Sequence, residues 1–479
     1  MKAVFRCSVL VLLVSAVAPA ASVITTRVED ARAVYLSAAE FGAKGDGQAD
    51  DSAALQAAID KAENRTREGI LFVPQGRYRI TRSIYVWPGV RVFGYGATRP
   101  VIVLGAHTPG YEKGIGLMVM FAGARPGGGG RGRGFRIPFP PPGTVPASET
   151  MADANPGTFY SAMSNIDFEI GDGNPAAVAI RFHAAQHAYL SHLDFHIGSG
   201  LAGLTEIGNY AEDLKFYGGR YGILTDKPSA AWQFTLVDSA FEGQREAAIQ
   251  EHEAGLTLVR DSFRNVPTAI AIDPEDYDQL WAKDCRFENV SQAAIAIGNE
   301  KSLLNEIGVD NAVAIGVPTF AMYQPSGRKE AGKGPIYRVR NFNYGLILPG
   351  EGSTGVLSHR YEPAALTAAP APLPPAIPQL PPSSAWVNAR SLGIAGDGKA
   401  DDTAAIQKAV DGNRVLYFPS GTYIVKDTIR LRPDSVIIGL HPLLTQFDLP
   451  DGSAGFQGVG APHAVMLAPA GGSNLISGV

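Results

Sequence analysis

The chain has 479 residues, 45% of them apolar, and a formal net charge of -5. That is more than one ordinary domain with ample material for a core, and it lacks the basic face that a nucleic-acid binder needs. Gly (55) and Pro (34) are abundant, but much of the excess sits in two tracts, so the remainder reads as folded.

The first residues read as an export signal. Lys2 and Arg6 are followed by the apolar run VLVLLVSAVA (9–18), too short to span a bilayer, and by small residues up to Ala20. The expectation is a signal at 1–20, a secreted protein (extracellular or periplasmic) and no membrane partner. Cys7 would leave with the signal. Cys285 then stands alone, so no intramolecular disulfide forms and the core must stabilise the fold.

The stretch GAKGDGQADDSAALQAAID (42–60) combines turn-forming glycines with a helical pattern. Asp50 or Asp51 is placed to N-cap that helix, and Leu55, Ala58, Ile59 and Ala62 form its apolar face. Paired aspartates also invite a catalytic reading, but the helix behind them gives a sufficient structural reason. Strand-like runs follow at 70–80 and 90–96. The tract 123–146 has too much Gly and Pro for regular structure and reads as a long surface insertion.

A longer period follows. Phenylalanines recur at 168, 195, 216, 241, 263 and 287, each closing a quartet such as NIDF, HLDF or DCRF. Short apolar steps and turn residues fall between them. A period of 20 to 30 residues built from short β-branched and aromatic runs predicts a parallel β-solenoid with phenylalanine stacked on phenylalanine inside the tube. Open solenoid ends need caps, and the helix after residue 51 is read as one.

The tract 363–384 carries eight prolines in 22 residues and reads as an extended linker. Beyond it the opening motif returns as GIAGDGKADDTAAIQKAVD (393–411), with Asp401 and Asp402 as caps and Ile406 and Val410 facing inward. The predicted fold is all-β: a single-stranded right-handed parallel β-helix with an N-terminal capping helix, followed by the start of a second. The expected domains are a first β-helix over 33–362, the linker, and an incomplete second β-helix over 385–479.

The pattern FGAKGDGQADDSAALQAAI (41–59) with VPQGRYRI (73–80) resembles the start of pectate lyase superfamily proteins, and two such helices in tandem resemble glycoside hydrolase family 55, the β-1,3-glucanases. The stretch 212–241 is similar to that family's first-domain coils. The resemblance implies a glucan-binding cleft between two helices and places Gln233, in AWQFT (231–235), on the strand whose glutamine helps to hold the attacking water. It also places the general acid well inside the second helix, beyond Val479. The insertion at 123–146 departs from the family's pattern.

An inverting glycosidase needs a protonated carboxyl and, on the opposite face of the sugar, a group that holds water. Trp232 and Trp281 are candidate sugar-stacking faces. Acidic residues cluster at 241–246, 250–253 and 272–281, and solenoid stacking would bring the last two together, which makes Glu251 and Asp276 candidate substrate contacts. Arg260 and Lys283 near those loops leave open a calcium-assisted lyase with a basic catalyst. The histidines at 183, 187, 192 and 196 lack zinc spacing, and no phosphate-binding or dinucleotide fingerprint occurs, so no metal and no cofactor are expected. The leading expectation is a secreted, monomeric glycoside hydrolase acting on a polysaccharide such as β-1,3-glucan. The alternatives are a pectate or uronate lyase and a non-catalytic glycan-binding module.

Overall fold

The computed structural model describes residues 21–125 and 151–479, apart from 67, 155–156, 227–232, 253–254, 275–276 and 278. The expected export signal, residues 126–146 of the insertion, Trp232 and Asp276 lie outside the described residues.

From residue 34 to residue 323 the coil strands, apart from Ala152–Asp153, pair in parallel with the equivalent strand one coil later. Gly69–Pro74 lies between Val34–Tyr35 and Val90–Tyr95, Tyr189–Gly198 pairs with Asn209–Gly218, and Gln233–Val237 pairs with Gly255–Val259. Parallel neighbours linked by short connections wind in one sense, and the result is a right-handed parallel β-helix of about 14 turns. A 19-stranded sheet wraps one corner of the tube and an 11-stranded sheet forms the opposite wall. At the far end Ile336–Ile347 and Val356–Ala365 pair antiparallel and cover Glu306–Ile315, the last parallel strand of the larger sheet in the first helix.

The six phenylalanines form one interior ladder. Successive rings from Phe168 to Phe287 lie 5.4, 4.9, 4.6, 5.0 and 5.1 Å apart with nearly parallel planes, and all are buried. The opposite wall makes room for them with glycine. A Cβ on Gly203 would sit 2.7 Å from the Phe216 ring, and one on Gly222 would sit 2.5 Å from that of Phe241.

The corner of the larger sheet is a second ladder, in the left-handed conformation. Asn165, His192, Asp213, Asp238, Arg260, Asp284 and Asn311 occupy it in successive coils, with φ between 48° and 61°. Asn and Asp tolerate that region, whereas a bulky residue such as Arg260 is an outlier there.

The helix Ser52–Thr66 closes the N-terminal end with Leu55, Ala58, Ile59 and Ala62 buried, and Thr403–Gly412 does the same for the second unit with Ile406, Ala409 and Val410. The paired aspartates divide their work in a way the sequence does not reveal. Asp50 accepts from the N–H of Ser52 at 3.0 Å, and Asp401 from that of Thr403 at 3.1 Å. Asp51 and Asp402 stand at the helix starts, but their side chains turn back. Asp51 accepts from the N–H groups of Lys44 and Gly45 at 2.7 and 2.9 Å, and Asp402 from Ala395 and Gly396 at the same distances. For these two the capping expectation is corrected: the glycine-rich turn before them presents two converging N–H groups, and the carboxylate satisfies those.

The strands after residue 386 repeat the opening topology in sheets of four, three and two strands. They pack beside the first coils of the first helix. Ile24, Val28, Phe72 and Phe93 share a buried cluster with Val415, Tyr417, Ile438 and Leu440. Asp30 accepts from the backbone N–H and the hydroxyl of Ser420, both at 2.8 Å, and from the Tyr417 hydroxyl at 3.2 Å.

Candidate functional site

Side-by-side packing leaves a cleft of about 990 Å³. One wall is the outer face of the first helix, carrying Gln186, His187, Tyr189, His192, Asn209, Tyr210 and Glu212. The other carries Leu440, Pro442 and Leu475–Val479 of the second unit. Ile377–Leu380 of the linker and Trp386 form a third side.

Strand alternation explains the first wall. In Asn209–Gly218 the residues Ala211, Leu214 and Phe216 face the core, so Tyr210 and Glu212 face out. The Tyr210 hydroxyl donates to Glu212 at 2.6 Å. Burial and this carboxylate push the Tyr210 hydroxyl pKa well up, so Tyr210 stays a proton-bearing donor and Glu212 is held oriented. Glu212 is the carboxylate that lines the cleft among the described residues.

The floor is built across the two units by Arg91. Its buried guanidinium donates to the carbonyls of Tyr160, Leu440 and His187 at 2.8, 2.9 and 3.1 Å and lies 5.1 Å from the centre of the Tyr189 ring. His441 adds a second bridge, its Nε2 donating to Gly89 at 2.8 Å. Burial, reinforced by the Arg91 charge, pushes the His441 imidazole pKa down to about 3, so the ring is neutral. Tyr160 stacks between His441 and His187.

At the corner beside the cleft a buried charge cluster stiffens the wall. Arg99 pairs with Asp194 at 3.0 Å, Asp167 at 3.2 Å and Asp213 at 3.7 Å, and Asp213 also meets His192 at 2.8 Å and Lys215 at 3.3 Å. Burial raises the Asp167 pKa. For Asp213 burial acts the same way, but the His192 hydrogen bond and the nearby cations hold its carboxyl below the ordinary range.

The expected site residues separate. Gln233 is exposed and begins the strand Gln233–Val237, on the same outer face as the cleft wall. Gly255 on the next coil gives its amide room, since a Cβ there would sit 2.8 Å from the Gln233 Nε2. Trp281 is 44% exposed and shares a lateral row with Thr257, Thr235, Tyr210 and Tyr189. Gln233 and Trp281 thus share one face with Tyr210, outside the cleft proper. Glu251 is corrected: it is fully buried, so it is not presented to a polymer. Asp273 does stack on it, its N–H donating to the Glu251 carbonyl at 2.9 Å. Arg91, Tyr210, Glu212 and His441 went unmarked in the sequence. Alternation about the buried Ala211 was the available signal for Tyr210 and Glu212; counted in twos from Phe216 it turns both inward, because the left-handed corner at Asp213 shifts the phase.

Residues 35–271 and 386–450 match the family described as rhamnogalacturonase A/epimerase, pectate lyase-like. The chain belongs to this family. The match covers parts of both the first helix and the second unit; of the cleft lining it includes the first-helix wall, Trp386, Leu440 and Pro442, but not Ile377–Leu380 or Leu475–Val479. Among individual relatives, the non-secreted LysM effector LysM19 of Penicillium expansum is 23% identical over 460 residues, covering 85% of this chain and 33% of that protein. The glucan 1,3-beta-glucosidase of Cochliobolus carbonum is 23% identical over 448 residues, covering 85% of this chain and 52% of that one. This chain thus spans about half the length, or less, of these curated relatives. A solved structure from Geobacillus virus E2, ORF18, aligns over 72% of this chain and 79% of its own at 12% identity, with a TM-score of 0.33. Among the described residues no group of three or more His, Cys, Asp and Glu side chains is placed to hold a metal ion, and no helix is long and apolar enough to cross a membrane.

Proposed function

We propose that the protein is an exported, carbohydrate-active β-helix enzyme, a glycoside hydrolase that takes a polysaccharide such as β-1,3-glucan into the cleft between its two units. The observation that carries this reading is the cleft itself: an open trough lined by the Tyr189 and Tyr210 rings and by a carboxylate already oriented by a hydrogen bond. Aromatic faces cover the apolar sides of pyranose rings, and a fixed carboxylate can order a hydroxyl or a water. In this reading Glu212, with Tyr210, holds the water, and Gln233 and Trp281, outside the cleft on the same face, continue the sugar path. By the family resemblance the general acid comes from a later coil of the second helix; the second unit's lining of the cleft, such as Leu440, Pro442 and Leu475–Val479, holds no carboxylate side chain. The likeness to a glucan 1,3-beta-glucosidase favours β-1,3-glucan.

Incubation of the purified protein with laminarin, with reducing ends and bound polymer both measured, tests this. New reducing ends that disappear in Glu212→Gln support it. An unsaturated, ultraviolet-absorbing product from a uronate polymer, lost with a calcium chelator, would instead establish the lyase reading. Binding without any product would establish a glycan-binding module.

A further inference from the structure

The left-handed corner ladder carries more than the solenoid's own turns. At its N-terminal end Asn165 accepts from the N–H of Val23 at 3.0 Å and donates to Ser22 at 2.9 Å, and so holds the segment that enters the first helix. Three coils further on the same corner holds the Pro-rich linker. Asp238 accepts from the N–H of Ala376 at 2.7 Å and of Ile377 at 3.4 Å. Arg260 donates to the Pro374 carbonyl at 2.6 Å, and Arg286, two residues past the ladder position of the next coil, donates to the Pro370 carbonyl at 2.9 Å.

The chemistry of these contacts is matched. Proline has no N–H, so a proline-rich strand offers mainly carbonyl acceptors, and the two arginines meet carbonyls of proline. Ala376 and Ile377 are consecutive residues with N–H groups, and the carboxylate meets those. The anchors fall one per coil, in reverse coil order, as the linker runs back along the tube. Arg260 makes its contact from the left-handed region, which a bulky side chain occupies only when its surroundings require it. Directly after the last anchor the chain becomes Ile377–Leu380, the third side of the cleft.

We propose that Asp238, Arg260 and Arg286 are positioning residues for the cleft: they hold the linker as a strap, so that Ile377–Leu380 form a fixed wall rather than a swinging tether. The second unit has its own attachment through Asp30 and the shared apolar cluster, so loosening the strap moves this wall without detaching that unit. The consequence for glycan rests on the function proposed above; the behaviour of the strap does not.

Amide hydrogen exchange over 371–380, combined with laminarihexaose binding, tests it on the full chain. In a variant with Asp238→Ala and Arg260→Ala, exchange at Ala376 and Ile377 should quicken about tenfold, near the net worth of one hydrogen bond. A second variant with Arg260→Ala and Arg286→Ala leaves Asp238 in place, yet exchange at Ala376 and Ile377 should still quicken, and in both variants laminarihexaose should bind about tenfold more weakly, the factor expected when a pre-ordered wall must be fixed on binding. Asp238→Asn keeps an acceptor and should restore most of the protection; it and Arg260→Lys also serve if the double variant does not fold. Unchanged exchange overturns the strap. Faster exchange with unchanged binding overturns the positioning role. If the wild-type protein does not bind laminarihexaose, the glucan reading falls, and exchange at Ala376 and Ile377 in the Arg260→Ala, Arg286→Ala variant decides alone: quickening supports the strap, and unchanged protection overturns it.

Discussion

Asp51 shows how a residue that looks catalytic can be explained by its neighbours. It is almost fully buried, and both carboxylate oxygens accept backbone N–H groups from the Lys44–Gly45 turn. Alanine there would strand two N–H groups away from water, and each such loss costs about 1–3 kcal/mol. Asp51→Ala is therefore expected to destabilise the first helix by about 2–6 kcal/mol, read as a lower denaturant midpoint, while the folded fraction keeps whatever glycan activity the wild type has. Lost activity at unchanged stability would return Asp51 to the catalytic candidates. The same geometry at Asp402 predicts the equivalent loss in the second unit. Sequence placed these aspartates at the helix starts but not the direction of their side chains, because helix start and glycine turn compete for one carboxylate and only the backbone path decides between them.

At the scale of elements, the phenylalanine ladder is the most legible feature, and the reason is physical. A parallel solenoid puts the same interior position of each coil in line, so one residue type repeats at coil length and the spacing survives in the sequence. Tyr210 and Glu212 lie on the same strand as Phe216 and flank the buried Ala211, but the left-handed corner at Asp213 shifts the alternation, so counting back from Phe216 by twos turns both inward. Phe216 gives the ladder its energetic test. It stacks 4.9 Å from Phe195 and 4.6 Å from Phe241, and Gly203 opposite keeps space for its ring. Phe216→Ala should cost about 3–5 kcal/mol by lost burial and a cavity, measured by denaturant unfolding, whereas Phe216→Leu should cost less because it leaves a smaller void. Equal losses for the two would mean that the ring stack, rather than filled volume, sets the stability of these coils.

At the scale of the molecule, the cleft depends on residues far apart in sequence. Arg91 and His441 meet only because the linker reverses the chain along the tube and sets the second unit beside the first coils, a placement that no local pattern encodes. His441 makes that contact sensitive to pH. It is fully buried and donates to Gly89 across the contact, with its pKa pushed down to about 3 by burial and by Arg91. The ordinary histidine value is about 6.5, so between these two values the unfolded chain binds a proton that the folded chain does not. Stability therefore rises with pH across that window. The contribution of this one group approaches about 1.4 kcal/mol per pH unit well below 6.5, and it vanishes above 6.5, where neither state is protonated. Glutamine keeps a donor for the Gly89 carbonyl without a titratable ring. His441→Gln should thus flatten the fall in stability between pH 6 and pH 4 relative to the wild type, with the two proteins differing least in slope above pH 7. Denaturant midpoints at pH 4, 5, 6 and 7.5 measure this. Parallel pH profiles for the two would show that His441 does not stay neutral in the folded protein and that the acid response of the cleft lies elsewhere, with the Arg99–Asp167–Asp194 cluster the next group to test.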